Sequence, residues 1–218
     1  MHGYLADSKS FSYQLDYFGK DFDVFAPDLK GFGKNKDMPY PYSLDDYILD
    51  LKEYMYKKNI RKPSVVAHSF GGRIVVKIAG RDQNFFDKLV LAGSAGLKPK
   101  PTVKKVLKKG AFSLLKRFIP KEKLTSFYSS DYQSLNETMK KSFINIVNEH
   151  LDCYLKDITN QTLLVFGDLD KQTPLYMAKK FNRCIKNSSL SIYKGAGHFA
   201  FIDKPLKFNL EVREFLLS

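Results

Sequence analysis

The chain of 218 residues is short of several things. It has two cysteines, Cys153 and Cys184, too few for a disulfide framework, and neither sits in a nucleophile motif. Both are read as reduced thiols with a structural role. The four histidines, His2, His68, His150 and His198, are scattered, so no cluster has the spacing of a metal site. No apolar run approaches the ~20 residues that a membrane-crossing helix needs. Met1-His2-Gly3-Tyr4 has no basic segment leading into an apolar stretch, so no signal peptide is visible and a cytoplasmic location is expected. Gly31-Phe32-Gly33 lacks the third glycine and the placement of a dinucleotide-binding loop. No cofactor is expected.

Acidic residues are also in deficit, and the formal net charge is +13. The excess is local. Between Lys98 and Lys123 there are ten basic residues and one acid, Glu122, so the remainder of the chain is near balance. A whole-protein nucleic-acid-binding reading is therefore weak. Hydrophobic content of 44% and aromatic content of 14% fit a globular protein with one core. A chain of this size buries roughly 70% of the surface that its unfolded form exposes.

What is present is an alternation of strand-like and helix-like segments, which predicts a mostly parallel sheet flanked by helices. Asp23-Val24-Phe25-Ala26, Ser64 to His68, Lys88 to Gly93, Leu163 to Phe166 and Leu190 to Tyr193 read as strands. Ser43 followed by Asp45 and Asp46 is a helix start, and Leu44, Tyr47, Ile48, Leu51 and Met55 recur at helical spacing. Pro174 and Pro205 open two later helices.

One of these junctions carries chemistry. Val65-Val66-Ala67-His68-Ser69-Phe70-Gly71-Gly72 runs from a β-branched strand through a serine into a helix-like stretch. That is the form of a nucleophile elbow, a sharp strand-to-helix turn that exposes the serine hydroxyl at the top of a sheet. Strand and helix pass close together there, so small residues are needed two before and two after the serine. Ala67 stands where glycine is usual. A serine needs a base to take its proton and a third group to orient the base. Gly195-Ala196-Gly197-His198 supplies the histidine, and Gly167-Asp168-Leu169-Asp170 places carboxylates at the end of a strand. The chain order is Ser, Asp, His.

With His2-Gly3 and Pro27-Asp28-Leu29-Lys30-Gly31-Phe32-Gly33 added to these, the chain resembles the α/β-hydrolase fold family over nearly all its length. The resemblance implies Ser69 as nucleophile, His198 as general base and Asp170 as the orienting acid. Asp170 is preferred to Asp168 because the family's acid usually lies three residues after the glycine. It also implies an oxyanion hole from the backbone N–H groups of Phe70 and Tyr4, with Leu5 the alternative to Tyr4. A hydrolase core would comprise residues 1–96 and 158–218, with a helical lid insertion at 97–157. In the lid, Val103, Val106, Leu107, Ala111, Leu114, Leu115 and Phe118 form one apolar face and lysines fill the other. A lid helix with its apolar face down is one reading, and weak contact with an anionic membrane is the sharper one. His68 reads as a packing residue at the pocket edge, His2 as a structural anchor and Asp203 as a support for the His198 loop.

The family's His-Gly motif follows an apolar strand, whereas here it follows Met1 directly, so the first strands of the sheet are expected to be missing. The absent neighbour would lie between Asp23–Ala26 and the elbow strand, leaving backbone groups unpaired there. The resemblance implies a serine hydrolase acting on a small or medium acyl ester, its partner being a small acyl substrate and not a nucleic acid. Carbon–carbon bond hydrolysis or acyl transfer with the same triad is the alternative. From another class comes a catalytically impaired fragment or a non-catalytic ligand-binding protein on this fold.

Overall fold

A computed structural model of the chain describes residues 1–100 and 135–218. Four strands, β1 (Val65–His68), β2 (Leu89–Ala92), β3 (Thr162–Gly167) and β4 (Ser188–Tyr193), lie in the order of the chain and pair in parallel throughout. Val65 pairs with Leu89, Leu89 with Thr162, and Thr162 with Ser188, so the C-terminal ends of the strands line one rim. The helices are α1 (Ser12–Phe18), α2 (Leu44–Lys57), α3 (Phe70–Arg81), α4 (Glu137–Asn148), α5 (Leu175–Cys184), the single turn α6 (Ala200–Asp203) and α7 (Pro205–Leu217).

The sheet is covered on both faces, and its residues divide between them with period two. Leu89, Leu91, Leu164 and Phe166 join the core cluster under α2, α3 and α5. Val90, Ala92, Leu163 and Val165 join the second cluster with Phe11, Phe18, Phe201, Phe208 and Val212 from α1, α6, α7 and the turn before α1. Each of the Val, Leu and Phe side chains among them, fully buried, contributes about 1.5–3 kcal/mol.

Local chemistry sets the helix boundaries as the sequence predicts. Ser43 and Asp46 form a reciprocal capping box on α2, whose Leu44, Tyr47, Ile48, Leu51 and Met55 are buried. Pro205 occupies the first turn of α7, where its missing N–H leaves no bond unmade. α3 is the most deeply sunk helix and carries two cations inward. Lys77 Nζ lies 2.9 Å from Asp45 and 2.5 Å from Glu149. Arg73 donates to the carbonyls of Ile146 and Glu149. Buried charges persist when they are paired in this way.

The described residues at 135–157 pack closely on α3. Ile146, Leu151 and Leu155 are buried in the larger core cluster, and Leu151 N–H donates to the Gly96 carbonyl. The basic amphipathic stretch at 103–118 lies outside the described residues.

One expected strand does not form. Asp23–Ala26 takes no regular structure and is unpaired, with no backbone hydrogen bond to any described residue, and Val24 and Phe25 are 41% and 49% exposed. Its composition suits a strand, but a strand exists only by pairing. Among the described residues no strand lies between this segment and β1.

Candidate active site

The turn from β1 into α3 holds Ser69 at φ 48°, ψ −105°, a conformation that L residues rarely adopt. Its N–H donates to the Ala92 carbonyl and its own carbonyl accepts from Ala95, so the strain is held by the neighbouring strand end. The demand for a small residue after the serine has a direct cause. A Cβ on Gly71 would come within 2.7 Å of the Met1 carbonyl oxygen and 2.8 Å of that of His2. Ala67, in place of the usual glycine, is fully buried and tolerated.

The acid and base come from the ends of β3 and β4. His198 Nδ1 lies 2.8 Å from Asp170 Oδ2. Asp170 also accepts from the Gln172 and Thr173 N–H groups at 2.8 and 2.9 Å and from the Thr173 hydroxyl at 2.6 Å. Burial alone would push the Asp170 carboxyl up, but the bonds from His198 and Thr173 outweigh it and hold it at about 2. The loops carrying the two residues meet over Gly167, where any Cβ would lie 2.2 Å from the Ala196 carbonyl.

The structure separates the two candidate acids. Asp168 is exposed and accepts from Gly195 N–H at 2.7 Å, shaping the histidine loop from outside, while Asp170 faces the histidine itself. Asp203 accepts from Gly197 N–H at 2.7 Å and supports the same loop. Sequence reasoning missed Thr173. Its signal was the spacing Asp170-x-x-Thr173 before a proline, a turn in which the hydroxyl and N–H both reach back to the carboxylate.

The N-terminal residues approach the serine from the other side. His2 is buried; its Nε2 accepts from Leu29 N–H at 2.9 Å, which leaves Nδ1–H to donate to the Gly3 carbonyl at 2.8 Å. This fixes the turn that carries Tyr4. The Tyr4 ring packs edge-on against Phe70 and its hydroxyl donates to the Met139 carbonyl. Phe70 begins α3, where helix N–H groups lack intrahelical acceptors. Asp28 accepts from the N–H groups of Ser8 and Lys34, so the 28–34 loop is shaped around it.

His68, beside the nucleophile, is buried between the two halves. Its Nε2–H donates to the His198 carbonyl at 3.0 Å and its ring lies 4.7 Å from that of His198. Its Nδ1 has no hydrogen-bond partner among the described residues. Burial, reinforced by the nearby His198, pushes its pKa down to about 3. His150 is exposed and distant in role, and both cysteines are free thiols. Among the described residues no three His, Cys, Asp or Glu side chains gather to hold a metal, and no helix is long and apolar enough to cross a membrane.

A strained serine at the head of a parallel strand, with a carboxylate–histidine pair delivered from the ends of β3 and β4, defines a nucleophile-elbow architecture. The model of the α/β-hydrolase fold family matches residues 1–119, and that of the TAP-like proteins matches 146–218. The chain belongs to the α/β-hydrolase family. It is 25% identical over 240 aligned positions to the AB hydrolase superfamily protein YisY of Bacillus subtilis, covering 99% of this chain and 89% of that one. It is 26% identical over 224 positions to the 2-hydroxy-6-oxo-6-(2'-aminophenyl)hexa-2,4-dienoic acid hydrolase of Metapseudomonas resinovorans, covering 93% and 76%. Among solved structures it is similar to the esterase EaEST of Exiguobacterium antarcticum, with a TM-score of 0.79, 23% identity and coverage of 100% and 90%.

Proposed function

We propose that the protein is a serine hydrolase that cleaves a small or medium acyl ester through an acyl-enzyme. The observation that carries this reading is the His198 Nδ1–Asp170 Oδ2 bond of 2.8 Å beside a serine held at φ 48°. With Nδ1–H committed to the carboxylate, Nε2 is the nitrogen left to take the Ser69 proton. Ser69 Oγ attacks the ester carbonyl as its proton passes to Nε2. The oxyanion is received by the N–H groups of Phe70 and Tyr4. Collapse of the tetrahedral species breaks the bond to the leaving alkoxide, which takes the proton from His198. Water, deprotonated by the same nitrogen, then releases the acid and regenerates Ser69. Asp170 stays ionised throughout, since its carboxyl is held at about 2.

A second reading, hydrolysis of a carbon–carbon bond in a dienoic acid, is favoured by the activity named for the Metapseudomonas relative. Both use the same serine. The test is hydrolysis of a p-nitrophenyl ester series and of a dienoic ring-cleavage product by the chain and by Ser69→Ala. Ester turnover that falls by roughly 10⁶ in the variant supports the ester reading. Turnover confined to the dienoic acid favours the second reading. Activity equal in the two proteins removes Ser69 as the nucleophile, and activity in neither leaves a non-catalytic member of the fold.

A further inference from the structure

The turn that carries Tyr4 is strained, and its own backbone holds it lightly. Gly3 to Ala6 is closed by one long bond, from Ala6 N–H to the Gly3 carbonyl at 3.3 Å. Leu5 within it stands at φ 59°, left-handed backbone that favours glycine. A residue in such a conformation persists only where its surroundings over-determine it. The Leu5 side chain supplies little of that, since it is 46% exposed. The Tyr4 side chain supplies much more.

Its ring packs against three others, with centroids 4.9 Å from Phe32, 5.6 Å from Phe70 and 5.1 Å from Phe143. Its hydroxyl donates to the Met139 carbonyl at 3.1 Å. Met139 and Phe143 lie one turn apart on α4, so ring and hydroxyl grip the same stretch of that helix. α4 is itself anchored elsewhere. Ser142 Oγ accepts from Tyr42 N–H at 2.8 Å, and Arg73 donates to the Ile146 carbonyl at 2.8 Å. The N–H groups of Tyr4 and Phe70 are the two proposed oxyanion donors. Their side chains touch each other and, through Tyr4, α4.

We infer that α4 is the positioning element for the oxyanion donors and that the Tyr4 hydroxyl is the latch through which it acts, an inference that rests on the serine-hydrolase reading. Tyr4 then serves twice: its N–H meets the oxyanion, and its phenol is a positioning group that holds this N–H in place. A phenol among aromatic rings needs a hydrogen-bond partner in any case. This bond does more, because it ties a strained turn to a separate, anchored helix. An oxyanion donor works only when it is preorganised, so slack in the turn costs turnover and leaves substrate affinity alone. Asp170 and His198 stand outside this chain of contacts, bonded to each other and to Thr173 at the ends of β3 and β4.

The test compares the chain with Tyr4→Phe, which keeps the ring and removes the bond to Met139. With p-nitrophenyl butyrate, kcat should fall roughly tenfold, short of the 10²–10³ that loss of a whole donor costs. KM should stay within twofold, and the acidic limb of the pH–rate profile should not move. Hydrogen exchange at the Ala6 amide, measured without ester, should quicken at least tenfold. A kcat within twofold of the parent, or unchanged Ala6 exchange, would overturn the inference. So would a loss carried by KM or a displaced acidic limb, which would put the effect on substrate binding or on His198. A lower Tm with kcat and exchange unchanged would make the bond merely structural. A parent chain that hydrolyses no ester would remove the serine-hydrolase reading instead, and Ala6 exchange would still decide whether the hydroxyl holds the turn.

Discussion

The two sides of the sheet are built to different standards. On the β3–β4 side every partner of the chemistry is held several times over. Asp170 accepts four hydrogen bonds, and the loops that carry it and His198 are clamped by Asp168, Asp203 and the close approach at Gly167. On the β1 side, the turn bearing Tyr4 depends on a five-residue segment. It is tied down by Met1, by His2 and by the contact of the Tyr4 ring and hydroxyl with their neighbours. The first side is fixed by networks of short polar bonds, the second by a few bonds. On the proposed mechanism, the acid–base geometry is therefore the rigid half of the site, and the proposed oxyanion geometry is the half most open to perturbation.

Breaking the rigid half should have the larger effect. Asp170→Asn keeps the shape but cannot hold His198 with its proton on Nδ1, and kcat is expected to fall by about 10⁴. A steady-state assay with KM nearly unchanged would bear this out; a loss below tenfold would mean that Asp170 does not orient the base. Breaking the other half comes next. His2→Phe removes the acceptor for Leu29 N–H and the donor to the Gly3 carbonyl. If Tyr4 contributes an oxyanion donor, kcat should drop by up to roughly 10²–10³. A variant that loses stability but keeps its kcat would take Tyr4 out of the site.

Thr173 sharpens the comparison within the rigid half. It is a positioning residue, acting on His198 through the carboxylate. Thr173→Val deletes a hydroxyl bonded to a charged acceptor, an interaction worth about 1.5–3 kcal/mol, so a 10- to 100-fold fall in kcat is expected. Thr173→Ser should restore most of it. Loss of rescue by serine would show that the methyl packing, not the hydroxyl, mattered.

Much of this was legible in the residues because the signals were local. The β-branched run ending in Ser69, the two glycine-bearing loops and the Ser43–Asp46 cap each specify their geometry within a few positions. The choice of Asp170 over Asp168 came from the family's spacing, and the physical reason appears only in three dimensions: one carboxylate points into the sheet rim and the other caps a turn. Lys77 was not legible because its partners, Asp45 and Glu149, lie on other elements, whereas Thr173 was missed although its partner Asp170 is three residues away in the same turn. Asp23–Ala26 misled because strand propensity describes a surface that fits a neighbour, and here the neighbour is not among the described residues. The basic stretch at 103–118, which carries much of the net charge, lies outside the described residues.

The smallest effect is expected where the two halves touch. His68 stands on β1 yet bonds the carbonyl of His198, so it senses both sides. Its pKa lies near 3 in the folded chain against an ordinary value of 6.5. Between those values the unfolded chain binds a proton that the folded chain does not, so stability must rise with pH across that window and fall on acidification. Met1 acts in the same direction between 8.0 and about 5, and burial gives His2 the same sign. Urea midpoints should therefore decline steadily from pH 7 to pH 4. His68→Phe, which fills the site without titrating, should flatten that decline without abolishing it, most visibly below pH 5, where Met1 no longer contributes. At neutral pH the variant loses the bond to His198, so a modest drop in kcat should accompany near-unchanged KM. An undiminished pH slope in His68→Phe would mean that the buried ring opens to water on acidification, and that the junction between the halves is looser than its 3.0 Å bond implies.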